Sequence, residues 1–313
     1  MSRPTGRIGI DVGGTKCLGV LLDDEGEVAA EERRPTPKET DELVARLCEL
    51  SEVLGPAESI GVGVPGLVTR QGMLRAAPHI TRVADLPLRD LLMERLGREV
   101  VIDNDATCAL LAESTIGNAQ GVRDAVLVTL GTGIGGGVLA GGVIQRGANG
   151  FVGEMGHMVV DPEGPDCPCG RRGCWERFAS GSALAHFGRV AAMAGELPAA
   201  LALAGGDPQS LRGEHVTAAA RAGDEASLAI LDGFGRWVGI GLVNLTNLLD
   251  PELFVLGGGL VELRDLIVEP IRHWLGQLLY APTFRPHPRL EIARLGERAG
   301  AVGAAMLPTS TRS

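Results

Sequence analysis

The chain has 313 residues, of which 45% are apolar and 22% charged, with a net charge of −10. That length suits two modest domains or one large α/β domain, and the apolar share excludes disorder over most of it. An acidic chain without blocks of basic residues repels phosphate polymers, so neither nucleic acid nor a membrane is an expected partner; small anions held by backbone amides stay open.

The opening residues, MSRPTGRIGIDVGG, lack the apolar core of a signal peptide. The richest apolar stretch, Ile240 to Leu260, is broken by Asn244, Thr246, Asn247, Asp250 and Glu252, so no run reaches the roughly 18 residues of a membrane span. The expectation is a cytoplasmic protein. In that compartment clustered cysteines more often bind metal than pair as disulfides.

Arg7 to Leu22 reads RIGIDVGGTKCLGVLL, then DDEG and EVAAEE follow. Apolar runs separated by glycine turns predict a three-stranded meander. Thr40 to Leu54 carries Leu43, Val44, Leu47, Leu50 and Leu54 on one helical stripe, with Thr40 or Asp41 available as cap and Gly55 as stop. Ile60 to Val64 is a strand ended by Pro65-Gly66. Leu88, Leu91, Leu92 and Leu96 mark a helix stopped by Gly97. Val100 to Ile102 is a buried strand, and Ala106 to Ile116 a helix. Asp124 to Ile144, DAVLVTLGTGIGGGVLAGGVI, repeats the opening plan, which points to an internal duplication. Beyond it, Ser182 to Ala204, Asp224 to Leu249, Leu266 to Leu279 and Gly300 to Leu307 read as helices, with strands at Phe254 to Leu256 and Leu290 to Ala293. The mixture makes the fold α/β. The expected partition is a small α/β domain over 1–115, completed by the C-terminal helix at about 297–313, and a large α/β domain over 116–296.

Glycine marks the candidate ligand loops; its 46 copies are about twice the usual share of roughly 7%. In DVGGTK, Gly13 and Gly14 allow close backbone approach, Thr15 adds a hydroxyl and Lys16 a charge, while Asp11 ends a strand within reach of a hydrated Mg²⁺. An ordinary hairpin turn explains the same residues. GTGIGGG, with Gly131, Thr132 and Gly133, formally contains G-x-G-x-x-G, but a strand-like VLAGG follows where the dinucleotide fingerprint needs a helix. Two equivalent Gly-Thr turns instead suggest phosphates gripped from two sides. Gly257, Gly258 and Gly259 follow the strand LFVL, where bare backbone admits a flat ligand such as adenosine, or simply makes a tight turn.

Asp105 closes VIDND at the mouth of a helix. Asn104 or Asp105 can serve as a plain cap, and a carboxylate there can also take a proton from a substrate hydroxyl. Cys167, Cys169 and Cys174 have spacing C-x-C-x₄-C, with His157 upstream. Three thiolates and an imidazole suit a closed tetrahedral Zn²⁺ site, a brace rather than a catalyst; incidental thiols or a Cys169–Cys174 disulfide are the alternatives. A braced loop fixes Glu154 and Glu176 to accept sugar hydroxyls, and His157 can serve the metal through one nitrogen and a hydroxyl through the other.

From Ile8 to Leu307 these motifs, in this order, resemble the ROK family, the bacterial repressor and sugar-kinase group, and within it the zinc-containing glucokinases. DVGGTK resembles its first phosphate motif, GVPG (Gly63 to Gly66) and NDA (Asn104 to Ala106) its sugar-side loops, and GTGIGGG its second phosphate motif. GEMGH and CPCGRRGCWE resemble its E-x-G-H and C-x-C-G-x-x-G-C-x-E signatures, and VLGGG its nucleotide-side motif. The resemblance implies a two-lobed actin-like ATPase (ribonuclease H-like) fold and an oligomer, usually a dimer or tetramer. It implies ATP and Mg²⁺, with Asp105 as base toward a hexose 6-hydroxyl. Gly66, Asn104, Glu154, His157 and Glu176 would contact sugar. Two departures stand out. Pro78-His79-Ile80 replaces the family's P-N-L, which leaves the choice of hexose less secure, and Val152 replaces an alanine. The first strand starts too near residue 1 to leave room for a repressor's DNA-binding extension.

Overall fold

The computed structural model describes residues 6–77 and 84–310; Pro78, His79 and Ile80 lie outside them. The meander is present as β1 (Arg7–Val12), β2 (Lys16–Leu22) and β3 (Val28–Pro35). It is followed by α1 (Thr40–Leu54), β4 (Ser59–Val64), a small three-stranded sheet β5 (Leu67–Val68), β6 (Leu74–Ala76) and β7 (Ala84–Leu86), then α2 (Leu88–Leu96), β8 (Glu99–Asn104) and α3 (Asp105–Ile116). The repeat supplies β9 (Ala125–Leu130), β10 (Ile134–Ala140) and β11 (Val143–Ile144). Helices α4 (Glu176–Ala179), α5 (Gly181–Met193), α6 (Pro198–Leu203), α7 (Gly213–Arg221) and α8 (Glu225–Leu249) precede β12 (Leu253–Gly257), α9 (Asp265–Leu278), β13 (Arg289–Ile292) and α10 (Ala299–Ser310).

The duplication is visible in the strand orders. One five-stranded sheet runs β3-β2-β1-β4-β8, the other β11-β10-β9-β12-β13. In each, a meander hands over at its first strand to two later strands. β1 pairs antiparallel with β2 and parallel with β4, in the register Ile8 to Ile60 and Ile10 to Val62. A parallel step needs a crossover, which α1 provides between β3 and β4.

The chain divides into two compact units, residues 1–127, 135–154 and 293–313, and residues 128–134 with 155–292. In the first unit both faces of the β1 sheet are covered, so β4 is buried throughout its length. One face packs Ile8, Ile10, Val12, Ile60 and Val62 against the α1 stripe Leu43, Leu47, Leu50 and Leu54; each fully buried leucine contributes about 1.5–3 kcal/mol relative to exposure. The other face packs Leu18, Val20 and Leu22 against Cys108 of α3 and Ala301, Ala304, Ala305 and Leu307 of α10. The C-terminal helix thus completes the unit that the N-terminal strands begin.

The second unit is mostly helical. Helix α8 satisfies the length and composition of a membrane span, yet half of that window is buried inside the protein, where it packs with α7 and α9. Asp224 caps it, accepting from Ser227 N–H at 2.9 Å.

Three local expectations need correction. Helix α1 is capped at Glu39 without any side-chain bond, so neither Thr40 nor Asp41 caps it. The expected single helix over Ser182 to Ala204 is two, α5 and α6, because Gly195 adopts φ 78° and Pro198 starts a new first turn. The strands β5 to β7 and helix α7 are additions to the expected elements; the strands, of two or three residues each, are too short to carry a periodic signal.

Candidate active site and metal-binding loop

In the first unit, Asp11 stands at the end of β1 and Asp105 at the start of α3, directly after β8. Both lie at the carboxyl ends of strands in a sheet with parallel pairs, the edge where α/β folds place ligands. Asn104 is the true cap of α3: its Oδ1 accepts from Ala106 N–H at 3.0 Å and Thr107 N–H at 3.1 Å. Asp105 shares the first of these donors, its Oδ1 accepting from Ala106 N–H at 2.8 Å. Asn104 Nδ2 also donates to the Gly66 carbonyl at 3.4 Å, so two expected sugar contacts meet, and Gly66 holds φ 101°. The third polar residue of VIDND is structural. Asp103 is buried and ion-paired at 2.7 Å with Arg146, a residue the sequence reading did not single out.

Asp11 is the electrostatically strained member. Its Oδ1 is sealed from solvent without a hydrogen-bond partner. Burial, and then the neighbouring Asp105 charge, push its carboxyl up to about 7 against the pull of Lys16. An orphaned carboxylate oxygen of this kind fits a hydrated divalent cation, which takes oxygen ligands and would repay the desolvation. A Cβ at Gly300, in the first turn of α10, would fall 2.6 Å from Asp11 Cγ, so glycine there makes room for the carboxylate. The DVGGTK turn is closed by Gly13 N–H donating to Lys16 O at 2.9 Å, and Thr36 Oγ1 donates to Gly13 O at 2.7 Å. Gly14 and Thr15 are exposed, and Lys16 Nζ is paired with Glu297 at 2.8 Å. Glu154, at the end of the segment following β11, is half-buried.

In the second unit, the turn of Gly131, Thr132 and Gly133 is tied down from behind. Gly131 O accepts from Gly181 N–H at 2.7 Å, and Thr132 O from Ser182 Oγ at 2.9 Å. Both donors begin α5. With the carbonyls turned toward that helix, the turn's exposed Thr132 hydroxyl and flanking amides suit an anion. Gly257, Gly258 and Gly259 end β12 beside the same turn: a Cβ at Gly258 would sit 2.5 Å from the Leu130 carbonyl oxygen. The structure therefore brings together these two glycine motifs, which lie far apart in sequence.

His157, Cys167, Cys169 and Cys174 converge, with one ligand atom from each within 4.8 Å of all the others. Cys169 and Cys174 sulfurs are 3.6 Å apart, and Cys167 Sγ lies 3.8 Å from His157 Nδ1. Metal–sulfur arms of about 2.3 Å give tetrahedral edges of roughly 3.8 Å; a disulfide needs about 2.05 Å. The geometry fits four ligands around one zinc and leaves all three cysteines as free thiols. Nδ1 is the His157 nitrogen that faces Cys167. Cys17 and Cys108 are buried and Cys48 half-buried, well away from this group in sequence, as expected of lone core thiols.

The loop leads straight into Trp175 and Glu176. Trp175 is fully buried, and its Nε1–H donates to Trp237 O at 2.8 Å. Glu176 is buried too; its Oε2 accepts from Ile134 N–H at 2.9 Å. A Cβ at Gly133 would lie 2.3 Å from that oxygen. The bond from Glu176 to the glycine turn and the anchoring by Trp175 are not among the sequence expectations, although a tryptophan beside a clustered cysteine in a chain with 3% aromatics is a readable signal.

Residues 7–310 match the ROK family. The glucokinase of Streptomyces coelicolor is 38% identical over 306 residues, covering 96% of both chains. That of Thermotoga maritima is 33% identical, again over 96% of both. Among solved structures, the ROK family glucokinase from Streptomyces griseus in complex with glucose and AMPPNP superposes with a TM-score of 0.87 at 36% identity, covering 96% of this chain and 98% of that one.

Proposed function

Because the chain belongs to the ROK family, we propose that it is an ATP-dependent hexose kinase of glucokinase type, making glucose 6-phosphate. The observation that carries this reading is the Asp11–Asp105 pair. One carboxylate has an oxygen sealed from solvent without a hydrogen-bond partner; the other heads a helix whose capping is done by its neighbour. The first suits a cation, the second a proton. Asp105 takes the proton of the sugar 6-hydroxyl as that oxygen attacks the γ-phosphorus. The bond from phosphorus to the bridging oxygen breaks, and its electron pair leaves on ADP. Asn104, Gly66, Glu154, His157 and Glu176 hold the sugar. Gly13, Gly14 and Thr15, with Gly131, Thr132 and Gly133, cradle phosphate, and Gly257, Gly258 and Gly259 flank the adenosine. Lys16, paired with Glu297 at 2.8 Å, adds positive charge beside the phosphates. Bound with Asp11, Mg²⁺ would supply neutralisation of phosphate charge. His157 and the three cysteines would hold structural Zn²⁺.

We further propose a cytoplasmic homo-oligomer. Exposed Leu248, Leu249, Tyr280 and Phe284 support self-association, with Arg285 tying their segments together through Asn247 and Thr246 O. A coupled ADP-release assay tests the activity across glucose, fructose, N-acetylglucosamine and N-acetylmannosamine, with ATP or polyphosphate as donor. The reading predicts the highest kcat/KM for glucose with ATP. Highest kcat/KM on another of these sugars would reassign the acceptor. Sugar binding without any ADP release would instead make the protein a sugar-responsive regulator.

A further inference from the structure

We propose that Glu176 is a positioning residue for the nucleotide, through which the metal loop sets the shape of the Gly131–Gly133 turn. This rests on the kinase reading and deepens it. Three consecutive residues do three jobs. Cys174 belongs to the cluster fit to hold a metal. Trp175 anchors the end of the loop: the ring lies where α8 has Gly241, whose added Cβ would fall 1.9 Å from Trp175 Cε2, and Trp237 O accepts its N–H. Glu176 then reaches the glycine turn itself, accepting from Ile134 N–H at 2.9 Å beneath Gly133.

The chemistry follows from peptide geometry. A peptide unit is planar, so fixing the Ile134 N–H also fixes the Gly133 carbonyl, which accepts from Gly131 N–H at 3.0 Å. The two other carbonyls of the turn are held by Gly181 and Ser182. All three peptide planes of a glycine-rich segment, otherwise the freest backbone in the chain, are thus set before a phosphate arrives. Two are held by α5 and the third by Glu176. Without Glu176 the Gly133–Ile134 peptide keeps only the Gly131 N–H bond to its carbonyl of the two bonds described, and a triphosphate must complete its ordering on binding. A charged acceptor on a buried amide is among the stronger hydrogen bonds. Its loss is expected to weaken nucleotide binding about 10- to 100-fold.

Isothermal titration with a non-hydrolysable ATP analogue, in the absence of sugar, tests this. The proteins are zinc-loaded wild type, Glu176→Ala, Glu176→Gln and wild type stripped by a chelator, each checked by far-UV circular dichroism. The expected result is a loss of about 10- to 100-fold in Glu176→Ala and in the same direction for stripped protein, reversed by added zinc. Glu176→Gln, which keeps an acceptor oxygen, stays within about threefold of wild type. A folded Glu176→Ala that binds the analogue like wild type while losing hexose affinity overturns the inference and leaves Glu176 a sugar contact alone. A folded, metal-free wild type with undiminished analogue affinity overturns it as well. No analogue binding by loaded wild type would overturn the kinase reading, and this inference with it.

Discussion

Replacing Asp11 with Asn should make the protein more stable and less active, and the gain should depend on pH. In the folded chain burial and Asp105 push the Asp11 carboxyl from 3.8 to about 7. Between those values the native state holds a proton that the unfolded chain has released. Stability therefore falls as pH rises through this window, and the loss is complete above pH 7. A shift of roughly 3 units corresponds to about 4 kcal/mol at pH 8 and about 1.5 kcal/mol at pH 5, as orders of magnitude. Asparagine does not titrate, so the stability gap between variant and wild type should widen by about 3 kcal/mol from pH 5 to pH 8. Urea unfolding in metal-free buffer measures it, followed by circular dichroism because Trp175, Trp237 and Trp274 all lie in the second unit. Added Mg²⁺ at pH 8 should narrow the gap by stabilising wild type alone. A gap of equal size at both pH values would refute the assignment of Asp11 as a buried, uncompensated acid.

Asp105→Ala should lower kcat by about 10²- to 10⁴-fold while glucose affinity stays within a few-fold and the thermal midpoint barely moves, since Asn104 retains the cap; unchanged kcat would remove Asp105 from the chemistry. Gly241→Val forces a side chain into the Trp175 ring and should cost about 1–3 kcal/mol or more, with weaker zinc retention measured by metal analysis after dialysis. Glu113→Ala should destabilise by about 1–3 kcal/mol without changing kcat of the folded fraction, because two part-buried backbone amides, Asn118 N–H and Leu295 N–H, lose the buried carboxylate that accepts from them.

How much of this was legible in the chain depends on the range of the interactions. The meanders, α1 and α8 were readable because apolar spacing is local and strong, and the glycine after each strand marks the turn. The candidate metal cluster was readable because Cys167, Cys169 and Cys174 lie close together within one loop. What escaped was pairwise and long-range. Arg146 neutralising Asp103, Gly300 clearing space for Asp11 and Gly258 lying on Leu130 join residues that no spacing connects. Glu176 stands out in the sequence as an acid next to the cysteine loop, but its buried partner is an amide of the glycine turn, which spacing alone could not supply. Pro198 and Gly195 were visible as breakers within the alanine-rich stretch, and the split into α5 and α6 followed from them more directly than the continuous helix did.

The most direct test of the account is ³¹P and ¹³C NMR of the products formed from ATP and glucose by wild type and by Asp105→Asn, side by side. The account predicts ADP and glucose phosphorylated on its 6-oxygen with wild type, and unreacted sugar with the variant over the same interval. No sugar phosphate from wild type, or an equal yield from Asp105→Asn, would contradict it.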